Sequence, residues 1–497
     1  MSELKDNTVK TSETRQRTGQ ETSELKNKAV KGVIWSALER FSVQGIQFLV
    51  MLVMARMLSP KDYGLVGMAA IFIAVSNSLT DSGFSQALIR KQDRTETDKS
   101  TVFYFNIVVS FILYLLIYII APYVSDFYEM PQLTAVVRVL CVLCVINSFG
   151  IVQRTEFMSA LDFKSQTKAS FVSAILSGIV GVALAMLGFG VWALVVQQIL
   201  GAFVNNLILW LLSKWRPILV FSKESFRGLF SFGSKLMASG LIDTLYREIY
   251  PIVIGKLFSA DSLGHFNRAK HFAEFPSQNM TGIMQRVTYP VLCKIQDDGS
   301  LRNAYRKFLK MSAFVVFPLM MALSALSHPL VNVLIGEKWS FCADLLQVIC
   351  FSMMWYPIHA INLNLLQVKG RSDLFLKLEV IKKILGITIL VVSAPWGLLA
   401  MCYGRIASSL IALFINTYYT GVLLDLGFLK QMKDLLPTFL LGSLMFVVLL
   451  SISYLFSNMM YVALLLGAIL GLGVYLGGSV IFKFQELYDI KDLIKKK

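Results

Sequence analysis

The sequence predicts an all-α integral membrane protein with about fourteen transmembrane helices. Of the 497 residues, 56% are hydrophobic and only 16% are charged, and the mean hydropathy is +0.63. Soluble globular chains are about 45–50% apolar and about 25% charged. Apolar segments near the roughly 20 residues that a spanning helix needs recur along the whole chain. These observations exclude a soluble enzyme, a disordered chain and a secreted disulfide scaffold.

The connections between the apolar segments alternate in charge, and this alternation predicts the orientation. The chain has a net charge of +16. One set of connections holds most of the Lys and Arg, whereas the other set contains only Lys61, Lys256 and Lys338. Because Lys and Arg accumulate in cytoplasmic connections, we expect both termini to lie in the cytoplasm. The same rule explains the basic composition without a nucleic-acid partner.

An internal repeat predicts two lobes. Arg56 to Ser59, followed by Gly64, resembles Lys256 to Ser259, followed by Gly264. Since six spans separate the two pieces, both blocks enter the membrane the same way round, as parallel repeats do. The expected organisation is a flexible cytosolic tail at 1–30, an N-lobe with helices 1–6 at 31–212, a cytosolic linker at 213–227, a C-lobe with helices 7–12 at 228–420, and helices 13 and 14 with a basic cytosolic C-terminus at 421–497.

The sequence offers little that an enzyme would need. No phosphate-binding loop and no cluster with metal-ligand spacing occurs, and Cys141 and Cys144 lie inside an apolar run, where cysteines are usually buried small side chains. The longest connection on the predicted outer side, around 328–342, is too short to hold an active site. We therefore expect a secondary transporter with no catalytic residue, no metal and no cofactor.

Polar side chains recur at helical spacing on four predicted spans. A polar stripe on a spanning helix does not face lipid; it lines a hydrated cavity or a polar contact between helices. Basic residues exceed acidic ones on these helices, which suits an anionic substrate, although Asp243 with Arg247 and Lys270 with Glu274 stand at i,i+4 and can neutralise each other. The stripes contain Ser36, Arg40, Gln44 and Gln47 on helix 1; Lys235, Ser239, Asp243, Tyr246, Arg247 and Tyr250 on helix 7; Asn267, His271, Glu274, Gln278, Thr281 and Gln285 with Arg268 at their border on helix 8; and Arg405, Ser409, Asn416 and Tyr419 on helix 12.

Several short motifs resemble those of a known family. The sequence is similar to the Wzx-type polysaccharide and O-antigen flippases, in the branch that includes colanic-acid-type exporters, within the multidrug/oligosaccharidyl-lipid/polysaccharide (MOP) exporter superfamily. The similarity covers about residues 30–490. The matching pieces are Trp35–Arg40, Ala55–Gly64, Leu263–Ala269, Tyr289–Leu292, Gly336–Trp339 and Gly370–Arg371.

This resemblance implies the fold and the activity of the MOP flippases. It implies two six-helix lobes around a central cavity, with two further helices, in the bacterial inner membrane. It implies a flippase that moves polyprenyl-pyrophosphate-linked oligosaccharide from the inner to the outer leaflet for exopolysaccharide, capsule or lipopolysaccharide biosynthesis, alongside other polysaccharide-assembly proteins. A proton or sodium gradient is the candidate driving force.

The resemblance and the polar stripes together give candidate site residues. The expected substrate-binding residues are Arg40, Gln44, Gln47, Lys235, Arg247, Asn267, Arg268, Gln278, Arg405 and Asn416, and the candidates for ion coupling are Asp243, Glu248, His271 and Glu274. Arginine and lysine would attract the pyrophosphate, and the amides would bind sugar hydroxyls. Three alternatives stay open: a lipid II flippase, a multidrug antiporter of the same superfamily, and an integral-membrane oligosaccharide polymerase.

Overall fold

A computed structural model describes residues 42–91 and 93–495, and the regular structure within these residues is entirely helical. The predicted tail at 1–30 therefore lies outside the described residues. The first half contains α1 (Ser42–Met57), α2 (Pro60–Asp81), α3 (Phe84–Arg90), α4 (Glu96–Tyr128), α5 (Gln132–Leu140), α6 (Val142–Ser148), α7 (Ile151–Ser159), α8 (Phe163–Met186), α9 (Val191–Leu212) and α10 (Lys223–Leu257). The second half contains α11 (Ala260–Lys294), α12 (Asp298–Ala325), α13 (Ser327–Ile335), α14 (Ser340–Met353), α15 (Tyr356–Val368), α16 (Ser372–Ser393), α17 (Leu398–Leu424), α18 (Phe428–Leu455), α19 (Met460–Ile481) and α20 (Gln485–Lys495).

Nine helical segments in the described residues are long and apolar enough to cross a membrane. The count rises to ten if Gln132–Ser148 and Ile151–Ser159, which are bent by 42° relative to each other, form one span. Helices α1, α10, α11 and α16 do not pass the same test. The exact count of fourteen spans thus stays a prediction. Ten candidate spans together with these four helices are compatible with that number.

The helices that fail the hydropathy test are rich in polar residues. Helices α10 and α11 are each 35 residues long, so their length is ample for a membrane crossing. They are the helices on which the sequence predicts the longest polar stripes. Helix α16 carries Lys377, Glu379, Lys382 and Lys383. Polar side chains at these positions lower the hydropathy, and they need protein or water around them in a bilayer.

The described chain divides into two compact units. The first contains residues 65–249 with α1, and the second contains residues 59–64 and those from 250 onward. Helix α2 therefore begins in the second unit and continues in the first, whereas α10 begins in the first and ends in the second. The predicted lobe boundaries stay a prediction.

Aromatic packing holds the first unit together near the break between α2 and α3. Gly83 has φ +70°, which a glycine adopts without a Cβ penalty, and its backbone lies directly against that of Gly233 in α10. Phe84 follows the break, is fully buried, and contacts the rings of Phe105, with a centroid distance of 5.1 Å, and of Phe230, at 6.0 Å. The packing fixes the start of α3 against α4 and α10.

Small residues allow close helix packing in the second unit. Buried positions on α19 recur in steps of four, at Gly467, Gly471, Tyr475 and Ser479. The Tyr475 hydroxyl donates a hydrogen bond of 2.8 Å to the carbonyl oxygen of Phe314 in α12. Small residues let backbones approach within a membrane, where packing rather than water exclusion drives association.

Candidate functional site

The predicted polar residues of the first helix are described only in part. Arg40 lies outside the described residues. Gln44 is half-buried, and its Oε1 has no hydrogen-bond partner among the residues that the structure describes. Gln47 is exposed. Among the described residues of the polar stripe on α1, Gln47 thus has the accessible amide.

In the first unit, helix α10 carries an ion pair within its own polar stripe. The Nη2 atom of Arg247 lies 2.6 Å from Oδ2 of Asp243, one turn earlier. The Arg247 side chain is nevertheless 71% exposed, so its remaining donors can reach solvent or a ligand. Lys235 is exposed and Glu248 is half-buried on the same helix. The i,i+4 pairing that the sequence suggested for Asp243 and Arg247 is therefore present.

In the second unit, Arg405 connects three polar and aromatic groups. Its Nη2 atom lies 3.7 Å from Oε1 of Glu274 in α11. Its guanidinium carbon lies 5.4 Å from the ring centroid of Tyr250 and 5.8 Å from that of Phe266. The two rings are stacked at 6.2 Å. At 3.7 Å the ion pair is longer than the 2.7–2.9 Å of a strong charge-assisted hydrogen bond, so Arg405 keeps donor capacity.

The other predicted residues of α11 lie at different depths. His271 and Gln278 are exposed on the second unit, whereas Asn267 and Glu274 are half-buried. Thr281, further along the same stripe, is buried and donates a hydrogen bond to the Ser277 carbonyl. The stripe on α11 is therefore accessible mainly at His271 and Gln278.

Arg268 borders that stripe and lies in an aromatic cluster with Tyr63 of α2. Its guanidinium carbon stands 4.4 Å above the ring centroid of Tyr63, and its Nε has no hydrogen-bond partner among the described residues. The Tyr63 ring meets Trp339 edge-on at 5.5 Å, and His265 meets the same indole at 5.5 Å. A cation–π contact with Tyr63 thus stabilises the Arg268 guanidinium.

Asn416 belongs to a buried hydrogen-bond network that was not predicted from the sequence. Its Nδ2 lies 3.2 Å from Nδ1 of His359, and Nε2 of the same imidazole lies 3.0 Å from the Ser409 hydroxyl. Because an amide NH2 can only donate, Nδ1 is the acceptor and Nε2–H donates to Ser409, so the ring is neutral. The sequence feature that could have indicated this network is the presence of His359, Asn362 and Asn364 within one apolar span.

A cavity of about 500 Å³ lies between α3 and α10 in the first unit. Arg90 and Lys91 line one side and Glu224 lines the other. The Nζ of Lys91 donates a hydrogen bond of 2.7 Å to Oδ2 of Asp98, and this bond raises the pKa of the lysine. Charges of both signs surround the cavity, so it shows no preference for an anion. Within the described residues no group of His, Cys, Asp and Glu could hold a metal ion.

Sequence relatives identify the family. A family model described as "Polysaccharide biosynthesis protein" matches residues 53–344, which is more than half of the chain. The teichuronic acid biosynthesis protein TuaB of Bacillus subtilis is 27% identical over 429 residues, covering 85% of this chain and 89% of that protein. The lipopolysaccharide biosynthesis protein WzxC of Escherichia coli is 26% identical over 400 residues, covering 79% of this chain and 80% of that protein. The succinoglycan biosynthesis transport protein ExoT of Rhizobium meliloti is 24% identical, covering 65% of each chain.

Solved structures identify the fold. The lipid II flippase MurJ in an inward closed conformation superposes with a TM-score of 0.72 at 16% identity, covering 93% of this chain and 100% of that one. A multidrug resistance MATE family transporter of the MOP superfamily gives a TM-score of 0.59 at 16% identity, covering 79% of this chain and 98% of that one. The predicted fold class, the family resemblance and the expectation of a transporter rather than an enzyme are confirmed. The chain is a multi-pass membrane protein that belongs to the polysaccharide biosynthesis protein family and has the fold of the MOP transporters.

Proposed function

We propose that this protein moves a polyprenyl-pyrophosphate-linked oligosaccharide from the inner to the outer leaflet of the bacterial cytoplasmic membrane. The observation that carries the proposal is the presence of Arg247 and Arg405 on helices of spanning length, each with one carboxylate partner and with donors to spare. The relatives support it, because they are named for teichuronic acid, lipopolysaccharide and succinoglycan biosynthesis. All three names refer to the biosynthesis of a bacterial polysaccharide or lipopolysaccharide.

Each of the two arginines, taken in its own unit, is a candidate ligand of the pyrophosphate. Arginine presents a planar fork of N–H donors that matches phosphate oxygens, and it keeps its charge in an apolar environment. Lys235 would add long-range attraction from an exposed position. The exposed amides of Gln47 and Gln278 would donate to and accept from sugar hydroxyls. The polyprenyl chain would stay in the lipid, and alternating access would carry the headgroup across.

Substrate binding would exchange one anion for another at each arginine. Asp243 pairs with Arg247, and Glu274 lies beside Arg405. A pyrophosphate that binds one of these arginines would release its carboxylate partner, which would then accept a proton or a sodium ion. This exchange gives the coupling role of Asp243 and Glu274 a physical basis, with Glu248 and His271 as neighbouring candidates. No cofactor takes part in the proposed cycle.

Cytoplasmic termini follow from the distribution of Lys and Arg between the connections, and this orientation is part of the proposal. Other polysaccharide-assembly proteins, which add sugars before the transfer and polymerise units after it, would be the functional partners. The solved structures bear on the fold alone and favour neither lipid II nor a drug as the substrate.

The test is leaflet exchange in proteoliposomes. A fluorescent polyprenyl-pyrophosphate oligosaccharide is reconstituted with wild-type protein, R247Q or R405Q, and the outer-leaflet signal is quenched chemically. A hydrogen bond to a charged group contributes about 1.5–3 kcal/mol, so we expect each variant to lose about 10- to 100-fold in apparent substrate affinity.

R138Q is the matched control, because Arg138 contacts the ring and the backbone of Tyr118 and has no part in the proposed site. Transport of a cationic dye is measured in parallel. Normal lipid exchange in both R247Q and R405Q would contradict the assignment of the anion site. Dye transport without lipid exchange would replace the proposal by the multidrug alternative.

A further inference from the structure

A cavity of about 830 Å³ lies in the second unit, between the start of α13 and the turn that connects α18 to α19. Both connections belong to the set with few Lys and Arg, which the sequence predicts on the outer side of the membrane. We call this cavity the outer cavity. Its volume falls in the range of about 300–1,000 Å³ that is usual for a small-molecule site.

The outer cavity has a polar lining without the charged residues that an anion would need. Six of the ten described residues that line it are polar, and none of the ten is a Lys, Arg, Asp or Glu. A phosphate group would therefore find neither a guanidinium nor an ammonium group there. The other four lining residues are Pro329, Leu450, Leu455 and Met460. Apolar walls with a few polar groups suit a neutral polar ligand.

The polar groups of the lining offer both hydrogen-bond donors and acceptors. Nε2 of His328 lies 3.1 Å from Oδ1 of Asp344, which leaves Nδ1 as the ring nitrogen for a ligand. Oδ1 of Asn332 accepts a bond of 3.3 Å from the Ser340 hydroxyl, so the NH2 group of the amide can donate. The Ser451 hydroxyl donates to its own helix and can still accept a bond. A sugar hydroxyl donates and accepts, so it can bind to either kind of group.

Tyr454 adds an aromatic surface to the lining of the outer cavity. Its side chain is 84% exposed, and its hydroxyl has no hydrogen-bond partner among the residues that the structure describes. A tyrosine combines an apolar ring with a polar hydroxyl. The ring can therefore cover the C–H face of a sugar while the hydroxyl binds one of its oxygens.

Close helix packing holds the two sides of the outer cavity together. Helices α13 and α19 contact each other. A Cβ placed on Gly467 in α19 would lie 2.9 Å from the side chain of Leu326, the residue before α13. Pro329 is buried at the start of α13. A lining that is held in place by its helices loses little freedom when a ligand binds.

We propose that the outer cavity binds neutral sugars of the transported glycan once they reach the outer side. This inference rests on the proposed function, which supplies the lipid-linked oligosaccharide, and on the outer location of both connections. Tyr454 stacks on a sugar ring, and Asn332 and the lining serines bind its hydroxyls. The pyrophosphate stays outside the cavity, because no described lining residue is basic.

A glycan array tests the proposal on purified protein in lipid nanodiscs, which leave both faces accessible and make the membrane orientation irrelevant. The array carries neutral oligosaccharides of varied composition and acidic oligosaccharides of matched length. We expect the wild-type protein to bind neutral glycans and to bind their acidic counterparts more weakly. Binding to no neutral glycan, or binding to acidic glycans alone, would overturn the proposal.

Two substitutions in the lining should weaken binding of the neutral glycan with the strongest signal. Y454A should raise its Kd about 5- to 10-fold, because the aromatic surface is lost. N332L should raise it about 3- to 10-fold, because one donor group is lost. S340A is the matched control for N332L, since it removes the same hydrogen bond to Asn332 but no lining group. Wild-type affinity in both Y454A and N332L would overturn the proposal.

Y461A is the matched control for Y454A. Tyr461 is 73% exposed near the start of α19, and it does not line the outer cavity. Its loss should leave the affinity unchanged, and an equal loss of affinity in Y461A and Y454A would contradict a role of the cavity. S453W adds a bulky side chain to the lining and should abolish binding. Should that variant fail to fold, Y454A carries the test, because its side chain is exposed.

A lipid acyl chain is the competing occupant of the outer cavity. Y454W is reconstituted in phospholipid with brominated acyl chains, which quench an indole on contact, and its fluorescence is compared with that of the wild-type protein. We expect the added indole to respond to the neutral glycan and to escape strong quenching. Strong quenching that the glycan does not relieve would assign the cavity to a lipid chain and overturn the proposal.

Failure of this inference and failure of the proposed function give different results. R247Q and R405Q should bind the array as the wild type does, because neither arginine lines the outer cavity. Neutral glycan binding without leaflet exchange would contradict the proposed function alone. Leaflet exchange without glycan binding would contradict the outer cavity alone.

Discussion

Neutralising Glu274 should strengthen headgroup binding. The carboxylate lies 3.7 Å from Arg405, and at this distance two unit charges attract by about 1 kcal/mol in bulk water and about 4.5 kcal/mol at an effective dielectric constant of 20. The side chains of Arg405 and Glu274 are 15% and 25% exposed, so water screens the pair and the lower part of this range applies. E274Q should therefore strengthen headgroup binding at Arg405 by about 1–2 kcal/mol, which lowers the Kd by about 5- to 30-fold.

Equilibrium binding of a short-chain prenyl pyrophosphate to purified protein measures this effect. The double-mutant cycle with R405Q isolates it: E274Q should tighten binding in the wild-type background and have almost no effect once Arg405 is absent. If Glu274 also carries the coupling ion, E274Q should bind more tightly yet transport more slowly. E379Q is the control, because Glu379 is a glutamate on α16 that pairs with Lys382 instead. Unchanged or weaker binding by E274Q would refute the anion-exchange reasoning.

Two further predictions concern the stability of the second unit. The carboxylate of Asp434 is 6% exposed and accepts two hydrogen bonds from Arg306, at 2.6 and 2.5 Å. D434N should lower the free energy of unfolding by about 2–3 kcal/mol, measured as a lower unfolding temperature in detergent. An unchanged unfolding temperature would show that this ion pair does not stabilise the unit. A Cβ at Gly471 would lie 3.2 Å from the side chain of Leu449, whereas a Cβ at Gly473 would have open space around it. G471V should therefore destabilise the protein by about 1–3 kcal/mol relative to G473V. Equal unfolding temperatures of the two variants would disprove the packing argument.

The sequence predicted the class of fold because bilayer physics leaves few options. Apolar length, the alternation of Lys and Arg and the polar stripes all follow from the cost of placing polar groups in lipid. The same costs explain why the span count is harder to predict. Helices α10 and α11 are polar enough to fall below the hydropathy of a simple spanning helix, although their length and capped starts are those of a continuous helix.

Interactions between helices were less accessible to sequence reasoning. The i,i+4 spacing correctly predicted that Asp243 pairs with Arg247. The same spacing also suggested Lys270 as the partner of Glu274, whereas the structure places Arg405, from a helix far along the chain, beside this carboxylate. Spacing within one helix cannot choose between a local partner and one brought in by tertiary packing.

The buried network at His359 and the close approach of Gly64 to the Ala260 carbonyl show the same limit. Asn416 was predicted on an accessible stripe, but its amide NH2 is 3.2 Å from the ring of His359 and the residue is 2% exposed. The repeat identified Gly64 and Gly264 as equivalent positions, yet equivalence alone did not reveal that the two turns touch. Both features depend on which helices pack together.

Leaflet exchange by the wild-type protein is the decisive measurement of whether this protein transfers a pyrophosphate-linked glycolipid between leaflets. Proteoliposomes containing a fluorescent polyprenyl-pyrophosphate oligosaccharide are compared with protein-free liposomes, with an uncharged polyprenyl glycoside of the same length as the competing substrate. We expect protein-dependent exchange of the pyrophosphate lipid that exceeds exchange of the uncharged lipid. Exchange of both lipids at equal rates, or no exchange above that of protein-free liposomes under an imposed proton or sodium gradient, would contradict it.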